Sequence, residues 1–236
     1  MDAAEKAAVR IKNLQQTVYV PQHEYRAVDA QAFRHLDLKF YDRVRDVLVA
    51  EGCGCLGDYE NVTLSRAWSP IRTFVRMLVS EDRMTSIGLC HPKPKWWLRM
   101  ILWIMRIKLG KVIDCETELS NGGYLVTSNA LEAAKMTMPP GFDMKFFAVD
   151  TLHEAVFEAH QERLKNFLAA HPDLQATIMQ SAEDVLQVQH RMQAVKAAYR
   201  KKVGYVTQEE LQRMGADSMT AAKLKDAMDR PKSPSA

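Results

Sequence analysis

The sequence predicts an α+β fold: an antiparallel sheet of about five strands packed with helices, followed by a helical C-terminal region. Three observations carry that reading. Apolar residues recur at helical spacing in the first fifty residues and again after residue 150. Between them lie short stretches rich in β-branched and aromatic residues, separated by turn formers. One separation, Ser120-Asn121-Gly122-Gly123, is a hairpin turn, and hairpin-linked strands pair antiparallel, with helices gathered on one face or at one end of the sheet.

The elements follow in order. Residues 3–18 place Ala4, Ala7, Ala8, Ile11, Leu14 and Val18 on one side of a helix that ends near Pro21. Half of its stripe is alanine, so it packs thinly. Residues 30–51 make a stronger helix, with Phe33, Leu36, Phe40, Val44, Val47 and Leu48 on one face and Gly52 as its stop. Strands are expected over 55–66, 72–80 and 84–91. Ser69-Pro70 and the turn Ser80-Glu81-Asp82-Arg83 separate them, and Pro92 and Pro94 close the third.

After residues 95–109 the strand pattern resumes at Val112 to Leu119 and Tyr124 to Ser128. The intervening Asn-Gly permits positive φ at both central turn positions. Pro139-Pro140-Gly141 marks a loop, and the remainder reads as helix. Thr151-Leu152-His153-Glu154, Ser181-Ala182-Glu183-Asp184 and Thr207-Gln208-Glu209-Glu210 each put a hydroxyl at an N-cap and an acid three residues on; Thr151 and Thr207, with Glu there, fit the capping box, and Asp184 is a looser match. The expected organisation is an N-terminal helix and linker over 1–29, an α+β core over 30–150, a helical region over 151–229 and a disordered tail over 230–236. In element order (helix, three strands, helix, two strands, helix) the middle of the chain is similar to the type III secretion chaperones. The likeness is one of layout, since those chaperones are acidic and shorter, and layout does not fix function.

Composition narrows the class. The 236 residues are 47% apolar, enough for a sizeable core, and a net charge of +3 supplies no global field for nucleic acid. The start MDAAEKAAVR lacks a basic segment followed by an apolar run, and four cysteines in this length make no disulfide scaffold. The expectation is a cytoplasmic protein with reduced thiols, and peripheral membrane contact is one option. No run is long and apolar enough for an ordinary spanning helix.

Residues 95–109 form the most unusual run, Lys95-Trp96-Trp97-Leu98-Arg99-Met100-Ile101-Leu102-Trp103-Ile104-Met105-Arg106-Ile107-Lys108-Leu109. As a helix it would span about 22 Å, short of a hydrocarbon core of about 30 Å. It reads as a core helix whose arginines reach the rim, as an interfacial membrane helix, or as a docking surface. The leading functional expectation is therefore a non-catalytic binding or adaptor protein. Trp96, Trp97, Arg99, Trp103 and Arg106 would face a protein partner or an anionic membrane.

The alternative is an enzyme of unspecified class. Asp114, Glu116 and Glu118 alternate along one strand, so all three carboxylates share a face at roughly 7 Å spacing. Such a row can hold a hard cation or supply an acid–base pair, and its competing reading is a solvated sheet face. The enzymatic case strengthens if His91 or an arginine projects from a neighbouring strand onto that face. Cys53-Gly54-Cys55, with Cys90 and Cys115, misses the usual zinc spacing, so buried thiols are expected, with no metal and no cofactor. His153 and His160 are two helical turns apart, about 10 Å, too far to share one metal alone. Phosphate-loop, dinucleotide and nucleophile-elbow patterns are absent. Arg191, Lys196, Arg200, Lys201 and Lys202 crowd a helix end, where cations complement the dipole; without aromatic interleaving they disfavour a nucleic-acid role.

Overall fold

Side-chain alternation along the strands decides the architecture. The computed structural model describes residues 3–67, 72–93, 110–130 and 136–229. Seven strands form one sheet in sequence order: β1 (Tyr25–Ala27), β2 (Gly54–Asn61), β3 (Val75–Val79), β4 (Ser86–Cys90), β5 (Val112–Glu118), β6 (Tyr124–Ser128) and β7 (Phe142–Phe146). All neighbours are antiparallel except β6 and β7, which run parallel. The described helices are α1 (Ala3–Val18), α2 (Leu38–Ala50), α3 (Val62–Ala67), α4 (His153–Ala170), α5 (Ala182–Lys202), α6 (Gln208–Arg213) and α7 (Ser218–Asp229).

Leu78, Ile87, Leu89, Ile113 and Cys115 point to one side of the sheet and bury against α2 and α4. Met77, Val79, Tyr124 and Val126 point to the other and bury against Val185, Val188 and Met192 of α5. Each large apolar side chain removed from water contributes roughly 1.5–3 kcal/mol, so both faces need a helical cover. Helices on both faces replace the expected one-sided arrangement. A third cluster, Ala8, Val206, Leu211, Ala221 and Met228, joins α1 to α6 and α7.

Among the described residues the sheet has seven strands, not five. β1 is only three residues long and lies against the end of β2, with Tyr25 opposite Asn61. β7 follows Pro139-Pro140-Gly141, where helix was expected, and pairs with β6 from Tyr124–Phe142 to Ser128–Phe146. The 30–51 helix also divides. Asp29 caps a 3-10 turn over Ala30–Phe33, and Asp37 then accepts from the Phe40 N–H to start α2. Two short polar side chains competing for backbone N–H groups separate what apolar spacing alone joins. Likewise β2 gives way to α3 at Val62, where the Asn61 side chain accepts from the Leu64 N–H at 3.0 Å.

Gly52 stops α2 with φ +89°. The β5–β6 hairpin forms where expected, by another turn. Only Gly122 takes positive φ, and its N–H donates to the Leu119 carbonyl at 2.8 Å. The Leu119 N–H meets the Gly123 carbonyl at 2.9 Å, so three residues make the loop. Ser181 and Thr207 form full capping boxes with Asp184 and Glu210. Thr151 does not: Leu152 occupies the N-cap of α4, and Glu154 lies 3.4 Å from Arg43 instead.

Candidate functional site: a carboxylate-lined cavity under α5

The row Asp114, Glu116 and Glu118 lies on β5 opposite Gly88, Ser86 and β6 residues Ser128, Val126 and Tyr124. This is the sheet face covered by α5, not a solvated one. The three carboxylates have different fates. Glu118 receives Arg191 from α5 through two nitrogens at 2.8 and 2.6 Å, with Tyr124 and Thr177 hydroxyls donating at 3.0 Å each. Burial alone would raise its pKa, but those donors outweigh it and hold the carboxyl below its ordinary value. Glu118 is thus a structural clamp between β5 and α5.

Asp114 and Glu116 instead line a cavity of about 110 Å³ with Tyr25, Val75, Met77, Ser86, Ile87, Gly88, Val185 and Gln189. Among the described residues no lysine, arginine or histidine lines it. Gln189 donates to Glu116 from α5. Asp114 is pushed up to about 6, first by burial and then by the Glu116 charge, against an opposing Ser128 hydrogen bond and the Lys196 charge. Tyr25 is pushed up to about 12 by burial and by Glu116. Gly88 sits directly across from Asp114, and a Cβ there would approach Val75 Cγ1 to 3.2 Å, so its bare backbone leaves the space open. A perturbed carboxyl facing a mixed polar and apolar recess is the pattern of a binding or acid–base site.

His91 does not join this site. It follows Cys90 on β4, and strand parity turns it to the α2 face, where its Nδ1 accepts from the Asp37 N–H at 3.1 Å. Burial and then Lys111 lower its pKa. The buried His160 also lies on that side, between the Thr117 and Thr127 hydroxyls at 3.1 and 2.9 Å, and burial drives its pKa to about 3. A neutral imidazole there links α4 to β5 and β6. Cys53 and Cys115 are buried in the α2-side core, Cys90 is half-buried and Cys55 is exposed. Among the described residues no group of three or more His, Cys, Asp or Glu could hold a metal ion.

The basic cluster separates in space. Arg191 serves Glu118, and Lys196 lies over the Phe142 ring at 5.6 Å. Arg200 is 2% exposed and meets Glu210, itself fully buried, at 2.6 Å. Glu210 also accepts from the Thr137 and Thr207 N–H groups at 2.7 and 2.9 Å, tying α5, α6 and the segment before β7 together.

The Trp96, Trp97, Arg99, Trp103 and Arg106 expectation lies outside the described residues, as does the 230–236 tail. Among the described residues no helix is long and apolar enough to cross a membrane. Sequence reasoning missed Tyr25, Gln189 and Gly88 as cavity members. The available signal was Gln189 itself, which shares a helical face with the apolar Val185, Val188 and Met192. No family model matches the chain, and searches of curated proteins and of solved structures return no match.

Proposed function

We propose that this is a non-catalytic binding protein whose cavity between α5 and the sheet takes a small organic cation. The observation behind this reading is the cavity's lining: two carboxylates, a phenol ring and, among the described residues, no cationic side chain. Glu118 has Arg191 as its counter-charge, whereas Asp114 has only the opposing influence of Lys196 and a Ser128 hydrogen bond. A bound ammonium supplies the missing charge, and Val75, Met77, Ile87 and Val185 cover an aliphatic body. The volume suits a few heavy atoms, since a cavity of about 150 Å³ holds benzene. Titration calorimetry with n-butylammonium tests this. Saturable binding is expected, weakened about tenfold (about 1.4 kcal/mol) in Asp114→Asn and again in Glu116→Gln. Absence of binding, or equal binding by the folded variants, overturns it.

A second reading, an enzyme using Asp114 and Glu116, is favoured by one observation. A carboxyl at about 6 beside a carboxylate held by Gln189 resembles an acid–base pair with separated roles. Consumption of the bound ligand, lost in both variants, would select it. The protein- or membrane-contact role of residues 95–109 belongs to the binding proposal and rests on the sequence alone.

A further inference from the structure

The link between α1 and β1 is fastened by a histidine whose hydrogen bonds require one protonation state. His23 is 6% exposed. Its Nε2 lies 2.8 Å from the Val18 carbonyl oxygen at the end of α1, so that nitrogen must carry a proton and donate. Its Nδ1 lies 2.8 Å from Asn61 Nδ2. The orientation of Asn61 is set independently, because its Oδ1 accepts from the Leu64 N–H at 3.0 Å and so starts α3. The amide therefore donates to Nδ1, which must be bare. A solvent proton arriving on Nδ1 places N–H against N–H, and the Asn61 bond is lost.

Among the described residues little nearby compensates an imidazolium. From α5, His190 and Lys196 both disfavour it, and His190 Nε2 is 2.9 Å from the His23 carbonyl oxygen. From β1, Tyr25 contributes a ring at 6.3 Å. The neighbouring Glu24 is occupied by Arg66 of α3 at 2.8 Å on the exposed surface. Gln193 of α5 adds longer ties, 3.1 and 3.2 Å, to the Val18 and Val20 carbonyls. Two residues beyond His23, Tyr25 forms part of the cavity wall.

We infer that His23 is a pH-sensitive latch: neutral, it ties the end of α1, through its Nε2–H on Val18, to Asn61 at the end of β2; protonated, it keeps the Val18 bond but loses the Asn61 tie, which loosens the end of α1 and the β1 wall of the cavity from β2. Its effect on ligand affinity rests on the cavity reading above, whereas the latch itself does not. Burial, and then His190 and Lys196, against the Val18 hydrogen bond, keep its pKa below the ordinary 6.5, so the latch holds at neutral pH and opens in acid.

Asn61→Asp tests the geometry, because a carboxylate still accepts from the Leu64 N–H but also accepts from a protonated Nδ1. The His23 Cε1 resonance, assigned by its absence in His23→Gln, is followed by NMR against pH. It is expected to titrate below 6.5 in the wild type and at least one unit higher in Asn61→Asp. Exchange of α1 C-terminal amides, corrected for intrinsic rate, should quicken between pH 7.5 and 5 in the wild type and lose that response in His23→Gln. Equal titration in the two proteins, or pH-independent α1 protection in the wild type, overturns the latch. n-Butylammonium affinity across the same range separates the readings. Binding at both pH values with an unshifted His23 overturns the latch alone. A shifted His23 with no binding at any pH supports the latch and overturns the cation reading.

Discussion

Asp114 is a carboxyl whose surroundings penalise its charge. Its carboxyl is raised to about 6 in the fold, while an unfolded chain keeps the ordinary 3.8. Between those values the native state holds a proton that the unfolded state has lost. Stability therefore falls as pH rises through that window, the reverse of a salt-bridged carboxylate. Below the lower value both states are protonated and nothing is lost; above the upper value the cost is complete. Asp114→Asn, which mimics the neutral acid, should stabilise the protein at pH 7.5 by on the order of 2 kcal/mol and have no effect at pH 3.5. Urea midpoints at the two pH values check this. Arg200 and Glu210 are more deeply buried but matched by hydrogen bonds, and therefore read as structural.

The helix starts show how local chemistry and tertiary packing divide the work. Ser181 and Thr207 each accept from an N–H three residues on, and the acid at that position bonds back to the cap N–H. Thr151 instead sits in a turn whose N–H reaches the Ala148 carbonyl at 3.0 Å, while Leu152 caps α4 with no side-chain bond. Thr207→Ala is expected to cost about 1 kcal/mol, and Thr151→Ala less than about 0.5, in paired thermal or urea unfolding. The same comparison shows what was legible in the sequence. Helices with long apolar stripes and the β5–β6 hairpin could be read, since both signals are local. β1 has three residues and depends on β2 for its existence. β7 did carry a local signal, with Phe142, Met144 and Phe146 alternating against Asp143 and Lys145, but its pairing crosses a connection from β6. The shared face of Asp114, Glu116 and Glu118 followed from strand period alone. That α5 covers this face depends on residues more than sixty positions away, which no local pattern encodes.

At the scale of the whole molecule, the two ends of the described chain meet away from the sheet. Ala8 of α1 packs with Val206, Leu211, Ala221 and Met228, and Lys12 donates to the Met228 carbonyl and lies 3.9 Å from Asp229. The two cores flanking the sheet contain none of these residues. Alanine contributes little area, so α1 cannot be held by its own stripe and depends on the C-terminal helices for its burial. The arrangement is expected to behave as a separate cooperative unit, opening at a lower free energy than the sheet. Removing residues 208–236 should then abolish amide protection throughout α1 while β3, β4 and β5 keep theirs, as read by hydrogen exchange at pH 7.5, where His23 is neutral. Retained protection in α1 would mean that the His23 and Gln193 ties at its C-terminal end, rather than α7, hold the helix in place.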